Sequence, residues 1–600
     1  MKKKTFMKTV IALALAAATT VATIGCNRGG GTSNGGGNSG GGNNSDNTTI
    51  NTSKSQLYVR YYAGGAGRNW MDNAIAEFEA AYADKEFESG KKGVQVIKDF
   101  DKSGFSDATV KESSNQVFIG EINYYKFVSS EAMLDISDVV KGNAVEGPNK
   151  SESVTIESKL RDDQKNFYNI GAEGNKKYYG LPSYETSMNI NYNVSVFENK
   201  NLYFAAGTEG TTETWTEEKL KSKDVEELFV KTKNAKKSKG PDGEENTYDD
   251  GLPATYNDFQ ALLTCMVRRG VVPFIWNGTS TDYLTGLANE VWANNEGYEQ
   301  MMLNMSFEGT ATNLIEFDSN GKMVFENGSP KLRSATSITP KTAYELHATK
   351  GLYDAVRFVK MMMGTTTETN PARGNTYRYK DSMTMDYRST QEYFLNGKDK
   401  NKTNGQDIGM MVEGTWWESE ARTNFVSEED RRSEERNYAI MPLPKASLAD
   451  VGKNNVKISE RNTIAFINAN CPANAIPIAK EFLKFLYSDK TMNEFSKDTD
   501  MLIAMNYELT EETLAAMSNY GRSVYQVTRA SNTDMMEWNP TSVEAKKRTD
   551  LLEWSKYGFS LSSGLINPYL YFFEESSRNN SAQTYFEGIY SNFKNSWPIK

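Results

Sequence analysis

A set of aromatic residues in this sequence stands beside glycine, asparagine or glutamate, and several members directly follow a predicted strand. A flat aromatic face packs against apolar C–H groups, contributing about 0.5–1.5 kcal/mol per contact beyond area burial. The amide and carboxylate neighbours can hydrogen-bond hydroxyl groups. Together these residue types favour non-covalent binding of a polyhydroxylated ring, and the alternative is that the rings pack in the core. The set is Tyr62, Trp70, Tyr124, Tyr184, Trp276, Trp416 and Trp417.

Polar partners accompany two members of this set. Asn277 and Gly278 follow Trp276 at the end of an apolar run, and Glu185 follows Tyr184. Trp416 and Trp417 come shortly after Gly414, at the end of the predicted strand 408–412. We expect at least one of these two tryptophans to face a ligand, and we include Asn277 and Glu185 among the candidate ligand-binding residues.

Catalysis by histidine is nearly excluded, because His347 is the only histidine in the chain. Ser-His-Asp and Cys-His sites and histidine-rich zinc sites all need histidine at a defined place. Carboxylate pairs such as Glu413 with Glu418 or Glu420 leave glycoside hydrolysis open, since that reaction needs two acids across a sugar. Such pairs are common in a chain with 78 acidic residues. We expect no catalytic residue, no metal site and no cofactor.

The first 26 residues are typical of an export signal. Lys2, Lys3, Lys4 and Lys8 precede an apolar stretch, 10–21, that is too short to span a bilayer of about 30 Å. Thr23-Ile24-Gly25-Cys26 then resembles the lipobox of bacterial lipoproteins, although leucine usually occupies the position of Thr23. Residues 1–25 are therefore predicted to be a lipoprotein signal peptide and Cys26 the lipid anchor; an ordinary secretory signal is the alternative.

Composition limits the kinds of partner and the number of domains. A chain of 600 residues is too long for one core, so two or more domains are expected. A formal net charge of −10 disfavours nucleic acid and anionic membrane surfaces as partners, which leaves membrane attachment to the lipid. Residues 26–56 are rich in Gly, Asn, Ser and Thr and are predicted to be a disordered tether. The sequence leaves open whether Cys265 and Cys471 form a disulfide.

The body of the chain alternates strand and helix patterns. The β-rich run Leu57–Tyr62 leads into Gly64, Gly65 and Gly67, then a helical face and the strand pattern 94–97. This order predicts an α/β fold with a largely parallel sheet, in which ligands lie at the carboxyl ends of the strands. Thr255 is a predicted helix N-cap with Asp258 at N3, and Ile478 to Leu486 form an amphipathic helix pattern.

Four segments, taken in the order in which they follow one another along the chain, resemble the extracellular solute-binding lipoproteins of ABC sugar importers, the family-1 group that includes maltose-binding protein. The match covers scattered positions over most of residues 57–500. The segments are the strand, loop and helix 57–82, the Tyr-Gly-Leu-Pro stretch 177–197, the strand and tryptophan turn 410–420, and the helix 479–487.

The resemblance implies a two-lobed, periplasmic-binding-protein-like (type II) α/β fold with an interlobe cleft. It places an N-terminal lobe at 57–182 plus about 460–500, and a C-terminal lobe at about 183–459 plus 501–600. Trp416 falls on a sugar-stacking tryptophan of the family pattern, and Trp70, Tyr184 and Glu185 fall where members often place cleft residues. The chain is much longer than a typical member, chiefly through 200–255 and 300–350, which leaves the identity of the solute open.

The expected function is therefore that of a non-enzymatic, lipid-anchored importer component on the outer face of the cytoplasmic membrane. We expect it to capture a carbohydrate, specifically an oligosaccharide, and to deliver it as a monomer to separate ABC permease subunits. The alternatives are a secreted polysaccharide hydrolase and a binding module that feeds a sensor or an adhesion system.

Overall fold

The predicted leader, Cys26 and most of the predicted tether lie outside the part of the chain that can be described. The computed structural model describes residues 49–101, 104–171, 174–326, 328–397, 405–459, 463–553, 556–561 and 567–599. Within these ranges, none of the helices combines the length and the apolar character that crossing a membrane requires.

Strands and helices alternate along the chain. The strands of the larger sheets are β1 (Ser55–Tyr62), β2 (Val94–Asp101), β3 (Val117–Glu121), β4 (Leu181–Pro182), β5 (Met188–Asn193), β6 (Val272–Trp276), β7 (Ile408–Gly414), β8 (Tyr438–Met441), β9 (Asn455–Ser459), β10 (Thr463–Ile467) and β11 (Thr533–Glu537). The longer helices are α1 (Asn69–Ala81), α2 (Tyr256–Arg268), α3 (Thr281–Glu296), α4 (Tyr298–Ser306), α5 (Lys350–Met362), α6 (Tyr387–Leu395), α7 (Ile476–Leu486), α8 (Asp489–Thr499), α9 (Asn519–Thr528) and α10 (Ala582–Ser596).

Shorter elements complete the described chain. The shorter helices include Asp107–Glu112, Tyr124–Ser129, Asp162–Tyr168, Val194–Asn199, Trp417–Glu420, Glu511–Ala516 and Pro568–Phe573. Two-stranded hairpins pair Glu86–Glu88 with Lys91–Lys92, Asn143–Gly147 with Lys150–Thr155, Gly309–Ala311 with Thr336–Ile338, and Thr365–Asn370 with Gly374–Thr376.

The first sheet has five strands in the order β4-β10-β3-β1-β2. β1 runs parallel to β2 and to β3, so the carboxyl ends of these three strands lie along one edge. β10 runs antiparallel between β3 and β4. The predicted strand, glycine loop, helix and strand order is confirmed, because α1 follows β1 and buries Trp70, Met71, Ala74, Ile75 and Phe78 on one face.

The second sheet has four strands in the order β6-β7-β5-β8. β6 and β7 are parallel, with Trp276 opposite Val412, so these two strands also end at a common edge. β5 is antiparallel to β7 and to β8. All seven residues of β7 are buried, in agreement with the buried-strand pattern read from the sequence. A separate parallel pair, β9 with β11, lies outside both sheets.

Local signals explain where several helices begin. α2 starts at a capping box, in which Thr255 accepts a hydrogen bond from the Asp258 amide and Asp258 accepts one from the Thr255 amide. This N-cap is the one that the sequence predicts. α7 buries Ile478, Phe482 and Leu483 on one side, which confirms its predicted amphipathic character.

The chain passes from the first sheet to the second in the short segment between β4 and β5, residues 183–187. It returns through β9 to β10, which lies between β4 and β3 in the first sheet. The segments that join the sheets therefore lie next to the edge where strands of both sheets end. This arrangement places residues that are far apart in sequence around one opening.

Candidate functional site

A pocket lies where the carboxyl ends of strands from both sheets meet. Tyr62 ends β1, Glu121 ends β3, and Trp416 follows directly after β7. Such strand ends are the usual place for ligands in α/β proteins. We call this the Trp416 pocket, and its lining is Tyr62, Gly64, Gly65, Glu121, Tyr184, Thr186, Tyr283, Trp416 and Glu420.

Glycines position the aromatic rings of the pocket. The Trp416 ring folds back over Gly414, where a Cβ would come within 2.2 Å of it, and Tyr62 folds over Gly64, where the distance would be 2.3 Å. Gly65 has a left-handed φ of 68° and approaches Trp416 so closely that a Cβ would lie 2.9 Å from the Trp416 Cβ. The glycine loop after β1 therefore lies directly on the tryptophan turn after β7.

Further contacts tie these two loops together. The Tyr283 ring of α3 packs edge-on against Trp416, with ring centroids 5.9 Å apart. The Ser419 hydroxyl lies 3.5 Å from the Ala66 carbonyl oxygen. Trp416 is only 6% exposed, and the pocket encloses about 50 Å³. Ligand pockets usually measure about 300–1,000 Å³, so a sugar ring needs the two loops to separate.

A larger cavity of about 520 Å³ adjoins the end of β3, and Tyr124 lies in its wall. The Tyr124 side chain is buried; its hydroxyl donates to the Tyr168 carbonyl at 2.8 Å and accepts from the Tyr179 amide at 3.1 Å. Tyr125, Phe167 and Trp538 add aromatic surface to the same cavity. Tyr124 thus lies beside a different opening from Tyr62, Tyr184 and Trp416.

Trp417 and Trp70 occupy packed surroundings, in contrast to the expectation that they face a ligand. Trp417 has no exposed surface and meets Phe394, Tyr438 and Tyr520 edge-on, with ring centroids 5.2–5.6 Å apart. Trp70 projects from α1 and packs edge-on against Phe495, with ring centroids 5.0 Å apart. A helix buries its apolar face against the protein, and this position of Trp70 follows from that rule.

Glu185 lies in a buried ion network and does not line the Trp416 pocket. Its carboxylate is 3.4 Å from the Arg161 guanidinium and 3.1 Å from that of Arg529. Arg161 also binds Glu537 at 2.6 Å. Burial raises the pKa of Glu537 to about 7. The network joins the helix Asp162–Tyr168, the crossing segment and the C-terminal part of the chain.

Trp276 and Asn277 are at the carboxyl end of β6, as the sequence predicts, and both are wholly buried. The Trp276 ring stacks on Phe274 at 5.4 Å and lies 6.1 Å from Tyr569. The Asn277 side-chain oxygen accepts from Thr279 and from the Ser280 amide just before α3. They lie one strand away from Trp416 along the same edge, a separation of about 4.8 Å between strands.

The two cysteines of the body are unpaired and buried, which answers the question of a disulfide between Cys265 and Cys471. Across the described ranges, no cluster of three His, Cys, Asp or Glu residues has the spacing of a metal site.

Comparison with known proteins identifies the fold. Neither a protein-family model nor a curated protein sequence matches the chain. A solved structure from work on xylan utilization by the thermophilic bacterium Caldanaerobius polysaccharolyticus is 11% identical, covers 89% of this chain and 99% of its own, and has a TM-score of 0.50. The chain has the fold of solute-binding proteins.

Two further similar structures carry that description. RafE of Streptococcus pneumoniae, a solute-binding protein solved with raffinose, is 12% identical, covers 90% of this chain and 99% of its own, and has a TM-score of 0.49. A family 1 extracellular solute-binding protein from Bifidobacterium longum subsp. infantis is 13% identical, covers 90% of this chain and 99% of its own, and has a TM-score of 0.43. The α/β class of the predicted fold is confirmed by the two mixed sheets and the helices of the structure itself.

Within the solute-binding fold, the structure adds pocket residues that the sequence did not single out. These are Glu121, Thr186 and Tyr283, which line the Trp416 pocket beside the predicted Tyr62, Tyr184 and Trp416. Glu420 lines it too, and the sequence had offered that residue only as one half of a carboxylate pair. Glu121 is the last residue of β3, and several of the predicted site residues also lie at or just after strand ends. Its position was therefore a signal in the sequence that could have marked it as a pocket residue. Tyr283 and Glu420 lie in helical turns and carry no such mark in the sequence.

Proposed function

We propose that this protein captures a carbohydrate between its two sheets and releases it chemically unchanged. The observation that carries the proposal is the Trp416 pocket, where indole and phenol faces and two carboxylates meet at the strand ends of both sheets. Aromatic faces suit the apolar side of a sugar ring, and Glu121 and Glu420 suit its hydroxyl groups.

Binding would be coupled to a hinge motion. The small pocket and the close contact of Gly65 with Trp416 describe a shut arrangement, so a solute enters when the two loops part. A ligand shifts such an equilibrium only by its differential affinity for the closed form. Contacts to Tyr62 from one sheet and Trp416 from the other supply that difference, because both form only after closure.

We further propose that the solute is delivered to separate ABC permease subunits by a monomer held outside the cytoplasmic membrane through lipid on Cys26. The glycine-rich segment 27–55 would act as a tether with a reach of roughly 30 Å. A tether of this length raises the effective concentration of the protein at the permease. The charge of −10 supports attachment by lipid instead of by electrostatic attraction to the membrane.

The test is calorimetric titration of the protein with a panel of neutral oligosaccharides. Trp416→Ala is expected to weaken binding of the sugar that binds best by about 1 kcal/mol or more, because a stacking surface is lost. Trp215→Ala is the matched control; Trp215 is a partly exposed tryptophan that packs on Lys219 away from the pocket. Equal affinities for wild type and Trp416→Ala would remove Trp416 from the site.

Glu121 and Glu420 in one pocket also favour examining hydrolysis, which needs two carboxylates. Incubation of the same oligosaccharides with the protein, followed by product analysis, separates the two functions. Shorter products that disappear in Glu420→Gln, while binding persists, would replace capture with hydrolysis. Binding without any dependence of sugar uptake on the protein would favour a sensor or adhesion role.

A further inference from the structure

Arg378 is a buried cation that lacks a counter-ion. Its backbone extends the second sheet beside Phe274, and the residue is only 9% exposed. The side chain makes no ion pair or hydrogen bond with any residue in the described ranges. Burial alone lowers the pKa of Arg378 to about 10, which leaves it charged at neutral pH. Burying an unpaired charge is costly.

The other buried arginines show what a structural role looks like in this protein. Arg161 pairs with Glu185 and Glu537, and Arg431 pairs with Glu418 and Asp500. Arg373 donates to backbone carbonyl groups of its own loop, including that of Glu368 at 2.8 Å. Each of these cations is satisfied by the protein itself, whereas Arg378 is not.

Aromatic faces hold the Arg378 guanidinium in place. Its central carbon lies 4.8 Å from the centre of the Phe573 ring and 6.0 Å from that of Trp276. Cation–π contacts of this kind offset part of the cost of burial, but they leave the buried Nε–H without an acceptor. Phe573 is 38% exposed, so the guanidinium lies one ring away from solvent.

Other polar groups around the Trp276 ring also lack partners. The Trp276 indole nitrogen, the Asn277 side-chain nitrogen and the Tyr569 hydroxyl are buried, and each makes no hydrogen bond to any described residue. Native proteins leave few buried polar atoms unsatisfied, so several together need an explanation. All of these groups are hydrogen-bond donors, and donors beside an unpaired arginine suit an oxyanion.

We propose that Arg378, with Trp276 and Asn277, receives an oxyanion group, a carboxylate or a sulfate, carried by the captured saccharide. The proposal rests on the proposed function and narrows its substrate class to acidic saccharides. Arg378 pairs with β6 on the side away from β7, so about two strand spacings, roughly 10 Å, separate it from β7. The Tyr283 ring of α3, the helix that follows Asn277, touches Trp416. A solute of several sugar units can therefore stack on Trp416 while its acidic group lies at Arg378.

The experiment titrates the full chain with probes built from galacto-configured sugar units. Trigalacturonate carries carboxylates, a sulfated carrageenan oligosaccharide carries sulfates, and a galacto-oligosaccharide is neutral. Arg378→Met removes the charge and keeps the apolar stem. It is expected to weaken binding of the preferred acidic probe about 10- to 100-fold, the range expected for charged hydrogen bonds, with little change for the neutral one. The two acidic probes distinguish carboxylate from sulfate.

Arg432→Met is the matched control, because Arg432 is an exposed arginine that pairs with Glu428 at 3.8 Å on the surface. It changes net charge equally and should leave the affinity for acidic probes within about twofold, since exposed charges contribute little. Arg378→Lys keeps the charge and should retain part of the acidic preference.

Stability separates a binding role from a structural one. Because Arg378 has no counter-ion, Arg378→Met should unfold at the same temperature as wild type without ligand, or at a higher one. A large fall in unfolding temperature would overturn the proposal. It would also be overturned if neutral probes bind and acidic ones do not, a result that leaves carbohydrate capture standing. If no saccharide of either kind binds, the proposed function itself fails.

Discussion

Trp416 and Trp417 are neighbours in the chain, yet one lines the pocket and the other is packed among three aromatic rings. Residue types alone cannot separate the two, because stacking faces and core faces are made from the same side chains. What separates them is the helical turn Trp417–Glu420, which directs consecutive residues to different sides. The sequence predicted that at least one of Trp416 and Trp417 faces a ligand. Only the packing shows that Trp416 lines the pocket and that Trp417 belongs to the core.

Gly65 offers a test of closure at the residue scale. Gly65→Ala should weaken saccharide binding, since its Cβ would collide with Trp416 in the shut arrangement, 2.9 Å away. Gly67→Ala is the control; Gly67 has a similar φ of 74° but no atom within 4 Å of a Cβ, so it isolates backbone strain. Calorimetry gives the affinities and small-angle scattering gives the radius of gyration with and without sugar. Equal losses in both variants would contradict a specific contact with Trp416.

Elements set by local chemistry are the part of the fold that the sequence predicted well. The first strand, the helix after the glycine loop and the amphipathic α7 all follow from periodicity within a short window. The cap of α2 follows from residue types three positions apart. In contrast, the ion pair of Glu185 with Arg529 joins residues 344 positions apart, and no local pattern indicates it.

The capping box of α2 should make a measurable contribution to stability. Thr255→Ala is expected to lower the free energy of unfolding by about 1–2 kcal/mol, because the Asp258 amide and the Asp258 carboxylate both lose a partner. Thr216→Ala, at the N-cap of the exposed four-residue helix Glu217–Leu220, serves as the control and should cost less. Urea unfolding followed by circular dichroism measures both. A Thr255→Ala variant as stable as wild type would exclude a contribution from this cap.

For the whole molecule, the buried network of Arg161, Glu185, Arg529 and Glu537 ties the crossing segment to distant parts of the chain. Glu185 was expected at the ligand, and its family position gave no indication of these partners. Long-range pairing of this kind depends on tertiary packing. The first sheet also gains β10 from about 460–500, a segment that the resemblance, and no local pattern, grouped with residues 57–182. The sequence did not predict these tertiary ion pairs between distant residues.

Glu185→Gln should destabilise the protein by about 3–5 kcal/mol, because Arg529 and Arg161 are left in the interior with less negative charge. Glu217→Gln is the control, since its pair with Lys221 at 2.7 Å is exposed and should cost well under 1 kcal/mol. Thermal and urea unfolding compare the variants. Similar unfolding midpoints for the two would show that the network is not a major source of stability.

The position of β10 also has a consequence for biosynthesis. β10 begins at Thr463 and lies between β3 and β4, so β3 lacks its neighbour until most of the chain exists. At about 5–20 residues per second, a ribosome needs roughly 25–90 s to reach that residue. During this interval the amino-terminal half has no completed sheet in which to settle. Under the export proposed above, such a delay would keep the chain unfolded while it is threaded through a translocation channel.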